Sequence, residues 1–287
     1  MNKDIALVLE GGGFRGCYTA GALKWLYEHN IKFDYSASIS ATSIYAFCYA
    51  TDRIKELHDV SVYGPTDSHM IGLVPLFTEG SLAGFKYMAD HYVGPYYSEA
   101  LKDLLAGDRD IEVGVFNMNT GEVDYKNKHQ LDPDYKILRA SCTLPVFGKK
   151  VEVDGNEYLD GGIQYMVSIK RAMDKGYKKA LVIVTKDKNY VRKPTGCIAN
   201  FFLRTIYHNY PKMLKKLDER TAAYYEQMDT VYKMEEEGTA ILIRPSRDCG
   251  VTRFSGSVEQ LEELFQLGWQ DMEDKKEEIF NFLGITE

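Results

Sequence analysis

The sequence lacks the features that would place the chain in a membrane, outside the cell or on nucleic acid. No run of 18 apolar residues occurs, and the first apolar stretch, residues 5–9, is too short for a signal-peptide core. The five cysteines are scattered and show no Cys-x-x-Cys or Cys/His ligand spacing, so neither a disulfide framework nor a zinc site is indicated. The net charge of -7 argues against general nucleic-acid binding. We therefore expect a soluble, cytoplasmic protein.

The chain also has no internal repeat and no linker rich in proline, glycine or serine. Apolar residues make up 45% of the 287 residues, which is ordinary for a globular protein and predicts a single domain over 1–287. Short apolar runs alternate with segments of helical spacing, which predicts an α/β fold whose mainly parallel sheet is covered by helices on both faces. The predicted strands are 5–9, 31–39, 111–116, 122–125, 149–153, 180–185 and 240–244, and the predicted helices are 16–29, 41–50, 99–105, 169–175, 213–237 and 259–283. Residues 52–97 have weak periodicity and carry no prediction.

A glycine-rich turn follows the first predicted strand. Gly11, Gly13 and Gly16 fit the spacing Gly-x-Gly-x-x-Gly, and Asp34 follows 18 residues after the last of them. Glycines at a helix N-terminus let backbone N–H groups approach a negative charge. The charge could be a pyrophosphate, which would indicate a dinucleotide-dependent oxidoreductase, or a transient oxyanion. A tight turn without any chemistry is the third interpretation.

A serine-rich turn follows the second predicted strand. The residues Ser38-Ile39-Ser40-Ala41-Thr42 occupy the place of an esterase elbow, Gly-x-Ser-x-Gly, although both glycine positions are replaced. Ser43 is a rival nucleophile, but its frame would put Tyr45 where a glycine is needed. Serines that merely end a strand and cap a helix remain an alternative.

The aspartate turn Asp160-Gly161-Gly162 follows another short apolar stretch. Together with the two preceding turns, its order and spacing resemble the patatin-like phospholipase family, in particular its bacterial members with one short catalytic domain. The resemblance implies a three-layer α/β/α fold and a serine hydrolase that cleaves carboxylic esters of lipids without a cofactor, a metal or a histidine base. It further implies a dyad of Ser40 as nucleophile and Asp160 as proton acceptor. The implied oxyanion hole comprises Gly11, Gly12, Gly13, Arg15 and Ala41, with Arg15 either anchoring the loop or adding positive charge.

One segment departs from the acidic character of the chain. Residues 186–216 contain eight basic residues and a single acidic one, interleaved with large apolar side chains. Such a segment suits an anionic lipid surface, so peripheral membrane contact through 186–216 is a hypothesis, and the wider segment 186–237 is expected to be helical. The altered elbow leaves a non-enzymatic alternative, in which the domain binds lipid or a protein partner without turnover.

Overall fold

The structure, a computed structural model, describes residues 4–285. Within this range eight strands form one sheet in which five neighbouring strands are parallel. The strands are β1 Ile5–Leu9, β2 Tyr35–Ile39, β3 Asp110–Asn117, β4 Glu122–Lys126, β5 Val151–Val153, β6 Asn156–Asp160, β7 Lys179–Ile183 and β8 Ala240–Ile243. Their order is β5-β6-β3-β2-β1-β7-β8, and β4 pairs with β3. Antiparallel pairing attaches β4, β5 and β6.

The helices of residues 4–285 cover both faces of this sheet. The α-helices are α1 Cys17–Glu28, α2 Ala41–Ala50, α3 Ile54–Val62, α4 Leu73–Thr78, α5 Phe85–Met88, α6 Gly94–Ala106, α7 Lys136–Cys142, α8 Ile169–Asp174, α9 Cys197–Ile206, α10 Pro211–Glu236, α11 Val258–Asp274 and α12 Lys276–Leu283. Short 3-10 turns lie at Gly13–Gly16, Gly64–Thr66, Lys128–Gln130 and Gly161–Ile163, and a π-helical turn lies at Ala89–Val93.

Alternate residues of β1 belong to different cores. Leu7 and Leu9 pack into a cluster with α1, α2, α3 and α11, whereas Ala6 and Val8 pack into a cluster with α8 and α10. A strand whose side chains are buried on both faces requires cover on both sides of the sheet. The predicted three-layer α/β/α fold with a mainly parallel sheet is therefore confirmed. The single domain over 1–287 stays a prediction, and its residues 1–3 and 286–287 lie outside the described range.

Most predicted elements differ in their bounds by a few residues, and the helix predicted over 99–105 begins earlier, at Gly94. Two differences have a visible cause in the backbone. The strand predicted over 31–39 begins only at Tyr35, because Ile31 still donates a hydrogen bond to the carbonyl of Leu26 (2.9 Å) and completes the end of α1. The helix predicted over 259–283 is two helices. Lys275, with φ -103° and ψ 12°, interrupts the regular backbone between α11 and α12.

The segment without a prediction, 52–97, contains α3, α4, α5, the π-helical turn and the start of α6. Several of these helices span only four to six residues, too few to show a helical period in the sequence. The segment lies beside α2 and contributes Met70, Phe85 and Met88 to the wall of the cavity described below.

Candidate active site

The candidate active site lies where two strands end on the same edge of β3. β2 runs parallel to β3 and ends at Ile39, which pairs with Gly114. β6 runs antiparallel to β3 and ends at Asp160, which pairs with the next residue, Val115. Because β4 occupies the opposite edge of β3 over 113–117, where β2 pairing ends and β6 pairing begins, β2 and β6 meet end to end on one edge. Ser40, the residue after Ile39, is thereby brought beside Asp160.

Ser40 occupies a strained turn between β2 and α2. Its φ of 64° and ψ of -143° lie in a region that residues with a side chain rarely adopt. Three hydrogen bonds hold this turn: the Ser40 N–H donates to Ser141 Oγ (2.9 Å), the Ser43 N–H donates to the Ser40 carbonyl (2.9 Å), and Thr42 Oγ1 donates to the Ile39 carbonyl (2.8 Å). The serine is thus held at the first turn of α2, in the strand-turn-helix arrangement of an esterase nucleophile.

The two residues that replace the elbow glycines are accommodated by local hydrogen bonds. Ser38 is fully buried in β2, and its Oγ donates to the carbonyl of Glu112 on the neighbouring strand (3.2 Å). Thr42 is also fully buried, and its hydroxyl is the donor to Ile39 described above. Both side chains therefore satisfy their polar atoms inside the turn.

Asp160 is a buried carboxylate at the start of the 3-10 turn Gly161–Ile163. Its Oδ1 accepts a hydrogen bond from the N–H of Gly162 (2.7 Å), and the hydroxyl of Ser40 is near enough to favour the ionised form of the carboxylate. Burial raises the pKa of Asp160 above its ordinary value, although the Gly162 N–H, the Ser40 hydroxyl and the charges of Arg220 and Arg253 oppose the rise. A carboxylate with a raised pKa is a better proton acceptor for an alcohol than an exposed one.

The glycine turn supplies unpaired backbone N–H groups next to Ser40. The N–H groups of Gly12, Gly13 and Ala41 donate to no acceptor within residues 4–285, and Gly13 and Ala41 line the same cavity as Ser40. Gly13 has a φ of 60°, which favours glycine, and this backbone turn begins the 3-10 helix. Ala41 is the first residue of α2, where backbone N–H groups are unpaired and the helix dipole is positive.

The remaining two predicted oxyanion residues have other partners. The Gly11 N–H donates to the carbonyl of Met166 (3.0 Å), and a Cβ at Gly11 would stand 3.1 Å from Ser40 Cβ, so this backbone lies against the serine. Arg15 Nε donates to the carbonyl of Val251 (3.1 Å), and its guanidinium lies over the ring of Tyr190. These contacts are those of a residue that anchors the loop.

An apolar cavity opens beside Ser40. Side chains from α2 and from the segment 60–88 form most of its wall, and the loop after α7 contributes Leu144. Arg253 is the one charged side chain among its lining residues. The apolar lining of this cavity can accommodate a hydrocarbon chain beside Ser40.

Other residues weighed from the sequence lie elsewhere. Asp34 precedes β2 and therefore lies at the opposite end of the parallel sheet from the glycine turn, which follows β1. An acid there cannot bind the ribose of a dinucleotide whose pyrophosphate lies at Gly11–Gly16. The Ser43 hydroxyl bonds to Ser141 Oγ (3.0 Å), and none of the six histidines lines the Ser40 cavity.

Sequence reasoning did not single out several residues that complete the site. Ser141, at the end of α7, accepts from the Ser40 N–H and donates to the Gly114 carbonyl (3.0 Å). Arg220 on α10 and Arg253 in the loop before α11 exert their charges on Asp160. The only sequence signal for Ser141 was a serine within an apolar helix. Nothing in the local sequence marks Arg220 or Arg253.

Comparisons with known proteins agree with this geometry. The family model described as patatin-like phospholipase matches residues 7–173, more than half of the chain. The chain therefore belongs to the patatin-like phospholipase family, which supports a lipid hydrolase activity in general. A second model, described as a domain of unknown function (DUF6363), matches residues 210–284. Within residues 4–285, no helix combines the length and apolar character needed to cross a membrane.

Individual relatives are distant. Lysophospholipase NTE1 of Scheffersomyces stipitis is 23% identical over 261 residues, which are 86% of this chain and 16% of that protein. The uncharacterized protein YjjU of Escherichia coli is 25% identical over 188 residues, 63% of this chain and 52% of that protein. The matched residues thus span 16% of the first relative and about half, 52%, of the second. VipD from Legionella pneumophila has a similar fold, with a TM-score of 0.50 at 11% identity over 98% of this chain and 67% of that chain.

Proposed function

We propose that the protein is a serine acyl hydrolase that cleaves carboxylic esters of lipids, with Ser40 as nucleophile and Asp160 as general base. The observation that carries the proposal is a serine in a strained turn that the strand registers bring beside a buried carboxylate with a raised pKa. The apolar cavity beside Ser40 supports a lipid as the substrate. Family membership supports lipid hydrolysis in general.

The reaction would run in two halves. Ser40 Oγ attacks the ester carbonyl carbon while its proton passes to Asp160, and the proton then passes on to the departing alcohol as the C–O bond breaks. Water next attacks the acyl-serine and gives a proton to Asp160, which returns it to Ser40 Oγ as the fatty acid leaves. One ester and one water molecule become one acid and one alcohol, and the dyad is regenerated.

The unpaired N–H groups of Gly12, Gly13 and Ala41 would stabilise the negative charge on the carbonyl oxygen. Such donors act strongly because they are fixed before the reaction and lie in a site that excludes water. Loss of one donor typically raises the barrier by about 2.7–4 kcal/mol. Arg15 would hold the loop in place through Val251 and would not contact the substrate.

The test is covalent labelling with a fluorophosphonate, followed by mass spectrometry of the modified residue. We expect the label on Ser40, no label on a folded Ser40→Ala variant, and full labelling of Ser43→Ala as the matched control. Turnover of a soluble p-nitrophenyl ester should depend on the same residue. Labelling of Ser43 in the Ser40→Ala protein would reverse the assignment.

The altered elbow motivates one alternative, a patatin-like protein that binds lipid or a partner without turnover. Ser38 and Thr42 stand where the family's elbow has glycine. Turnover by the parent protein argues against this alternative. An inactive parent that gains esterase activity in the double variant Ser38→Gly, Thr42→Gly would support it, and would trace the lost activity to the elbow.

We further propose that the protein meets its substrate at a membrane surface. Phe77 of α4 is 83% exposed and Ile198 of α9 is 77% exposed, although both are large apolar side chains. The loop 144–148 contacts the chain after each of these helices: Tyr207, after α9, accepts a hydrogen bond from the N–H of Val146 (3.2 Å), and the Phe147 carbonyl accepts one from the N–H of Ala83, after α4 (2.9 Å). Leu144 of that loop also lines the Ser40 cavity.

This exposed surface combines apolar side chains with the basic segment 186–216, a combination that suits anionic lipid. Sedimentation with phosphatidylcholine vesicles containing phosphatidylglycerol tests it. We expect Phe77→Ser and Phe201→Ser to weaken binding, whereas Leu105→Ser, an exposed apolar residue on α6, should not. Equal weakening by all three would argue against this face.

A further inference from the structure

A group of basic side chains surrounds two tyrosines near the predicted dyad. The rings of Tyr190 and Tyr224 lie 6.4 Å apart, centre to centre. The guanidinium of Arg192 lies 5.1 Å from the centre of the Tyr224 ring, and that of Arg15 lies 5.4 Å from the centre of the Tyr190 ring. Lys186 Nζ lies within 5.6 Å of both ring centres. Four of the five residues that define this group are outside the glycine, serine and aspartate turns.

Two further arginines connect this group to Asp160. Arg220 Nη2 lies 3.5 Å from the point where a Cβ of Gly162 would stand, and Asp160 Oδ1 lies 3.0 Å from the same point. Arg253 lines the Ser40 cavity, and its carbonyl accepts a hydrogen bond from Phe14 in the glycine turn (3.2 Å). We call Arg192, Arg220 and Arg253 the arginine cluster. Each of the three interacts electrostatically with the other two.

Among residues 4–285, no carboxylate forms an ion pair with the arginine cluster. Arg220 Nε is buried without an acceptor, and its Nη2 contacts only the sulfur of Met166 (3.3 Å). Arg192 is only 8% exposed, yet within this range its guanidinium, like that of Arg253, makes no ion pair or hydrogen bond. Five other arginines lie within 2.9 Å of a carboxylate oxygen: Arg53, Arg109, Arg171, Arg204 and Arg247.

The nearby acids do not balance the cluster. Glu10 forms a buried ion pair with Lys186 and is occupied by it. Asp160 acts on Arg220 and Arg253, so three cations face one available carboxylate. Burial and the charges of Arg253 and Arg192 lower the pKa of Arg220, and because arginine stays protonated at neutral pH, the charge is held there at a cost in free energy. A bound anion would remove that cost.

We propose that Arg192, Arg220 and Arg253 form a binding site for a phosphate group beside the Ser40–Asp160 pair. Guanidinium groups match the geometry of phosphate oxygens, and three of them supply the charge of a dianion. Position supports a phosphate carried by the lipid, because Arg253 lines the cavity that would hold the acyl chain. Binding of a phosphate carried by a lipid substrate rests on the proposed function. Binding of free phosphate does not. Arg192, Arg220 and Arg253 also lie outside the residues 7–173 that match the patatin-like model.

The first test is calorimetric titration of the parent protein with inorganic phosphate at neutral pH and low salt. We expect saturable binding of one phosphate, weakened about tenfold or more in Arg192→Gln and in Arg253→Gln, since a charge-assisted hydrogen bond is lost in each. The matched control is Arg244→Gln, because Arg244 also packs on a tyrosine, 5.3 Å from the centre of the Tyr232 ring. Absence of saturable binding at millimolar phosphate, or equal weakening by the control, would overturn the site.

Thermal unfolding distinguishes phosphate binding by the arginine cluster from a purely structural role. Without phosphate, Arg192→Gln should unfold at an equal or higher temperature than the parent, because an unpaired buried charge is removed. With phosphate, the parent should gain more thermal stability than the variant. A variant that is less stable than the parent in both conditions would mean that Arg192 serves packing alone, and the proposal would fall.

A second titration separates the two sources of phosphate. The Ser40→Ala protein, which cannot turn over an ester, is titrated with dihexanoyl phosphatidic acid and, for comparison, with dihexanoylglycerol. Phosphatidic acid binding about tenfold more tightly than either inorganic phosphate or the glyceride, and competing with phosphate, would identify a lipid head group. Phosphatidic acid binding no better than inorganic phosphate would identify free phosphate as the ligand.

The outcomes also separate this inference from the proposed function. Calorimetry needs no turnover, so phosphate can bind to a protein whose Ser40 takes no fluorophosphonate label. Conversely, a neutral ester can be hydrolysed by a protein that binds no phosphate. Hydrolysis of a neutral ester without phosphate binding would contradict the phosphate site and leave the hydrolase proposal intact.

Discussion

Replacing Ser40 by glycine should make the protein more stable than replacing it by alanine, although both variants lose the nucleophile. Both substitutions remove the hydroxyl and its interaction with Asp160. They differ in one respect: alanine keeps a Cβ at a residue with φ 64° and ψ -143°, and glycine does not. The difference between the two variants therefore isolates the backbone strain at the turn between β2 and α2.

The magnitude follows from two opposing terms. A side-chain-bearing residue in such a backbone region costs about 1–3 kcal/mol. Glycine loses more conformational freedom on folding than alanine, which reduces its advantage by about 0.5–1 kcal/mol. We expect the free energy of unfolding of Ser40→Gly to exceed that of Ser40→Ala by up to about 2.5 kcal/mol, and its Tm to be higher by a few degrees.

Urea denaturation followed by circular dichroism measures the difference. The matched control is the pair Ser43→Gly and Ser43→Ala, because Ser43 lies inside α2, where glycine should be less stable than alanine by about 1 kcal/mol. The two positions should thus give differences of opposite sign. If glycine is the less stable variant at residue 40 as well, the turn stores no strain and the reasoning about the elbow is wrong.

Three further outcomes follow from the contacts of the dyad. Burial raises the pKa of Asp160, and only the carboxylate can accept a proton. As the pH is lowered, kcat/KM for a soluble ester should therefore fall with an inflection above about pH 3.9, the ordinary pKa of Asp. An inflection at or below that pH would contradict the assignment. The charge of Arg220 lowers the pKa of Asp160, so Arg220→Met should move this inflection to higher pH, and an unmoved profile would separate the two groups. Ser141→Ala leaves the Ser40 N–H without its acceptor, which should cost about 1–3 kcal/mol of stability in urea and lower kcat more than it changes KM, whereas Ser43→Ala should retain turnover.

The strands of the central sheet could be predicted because burial on both faces makes them nearly continuous apolar runs. Residues 5–9, 180–185 and 240–244 are of this kind, and β1, β7 and β8 lie within or one residue beyond those bounds. The interruption at Lys275 could not be predicted, since the apolar spacing continues through it into α12. The short helix α5 in 52–97 packs on α7, which lies far along the chain, and no local pattern records such a contact.

The dyad and the glycine turn are short local patterns, so the sequence identified Ser40, Asp160 and the N–H donors as candidates. Their mutual position is set by the registers of β2 and β6 on β3, which no local pattern encodes. Arg220 lies on a largely polar helix and Arg253 in an irregular loop, where an arginine ordinarily meets water. Only the tertiary structure brings these two guanidinium groups to Asp160.

The end-to-end meeting of β2 and β6 on β3 has a consequence for the order of folding. Ser40 and Asp160 are 120 positions apart in the chain, and each is placed by pairing with a strand that lies between them in sequence. Contacts of such separation close large loops and form late compared with local helices. A partly folded chain can contain α2 and its serine, but the serine has no carboxylate beside it until both strands have joined β3. Reactivity of Ser40 is therefore a measure of complete assembly of the sheet, and refolding followed by fluorophosphonate labelling would lag behind the recovery of helical circular dichroism.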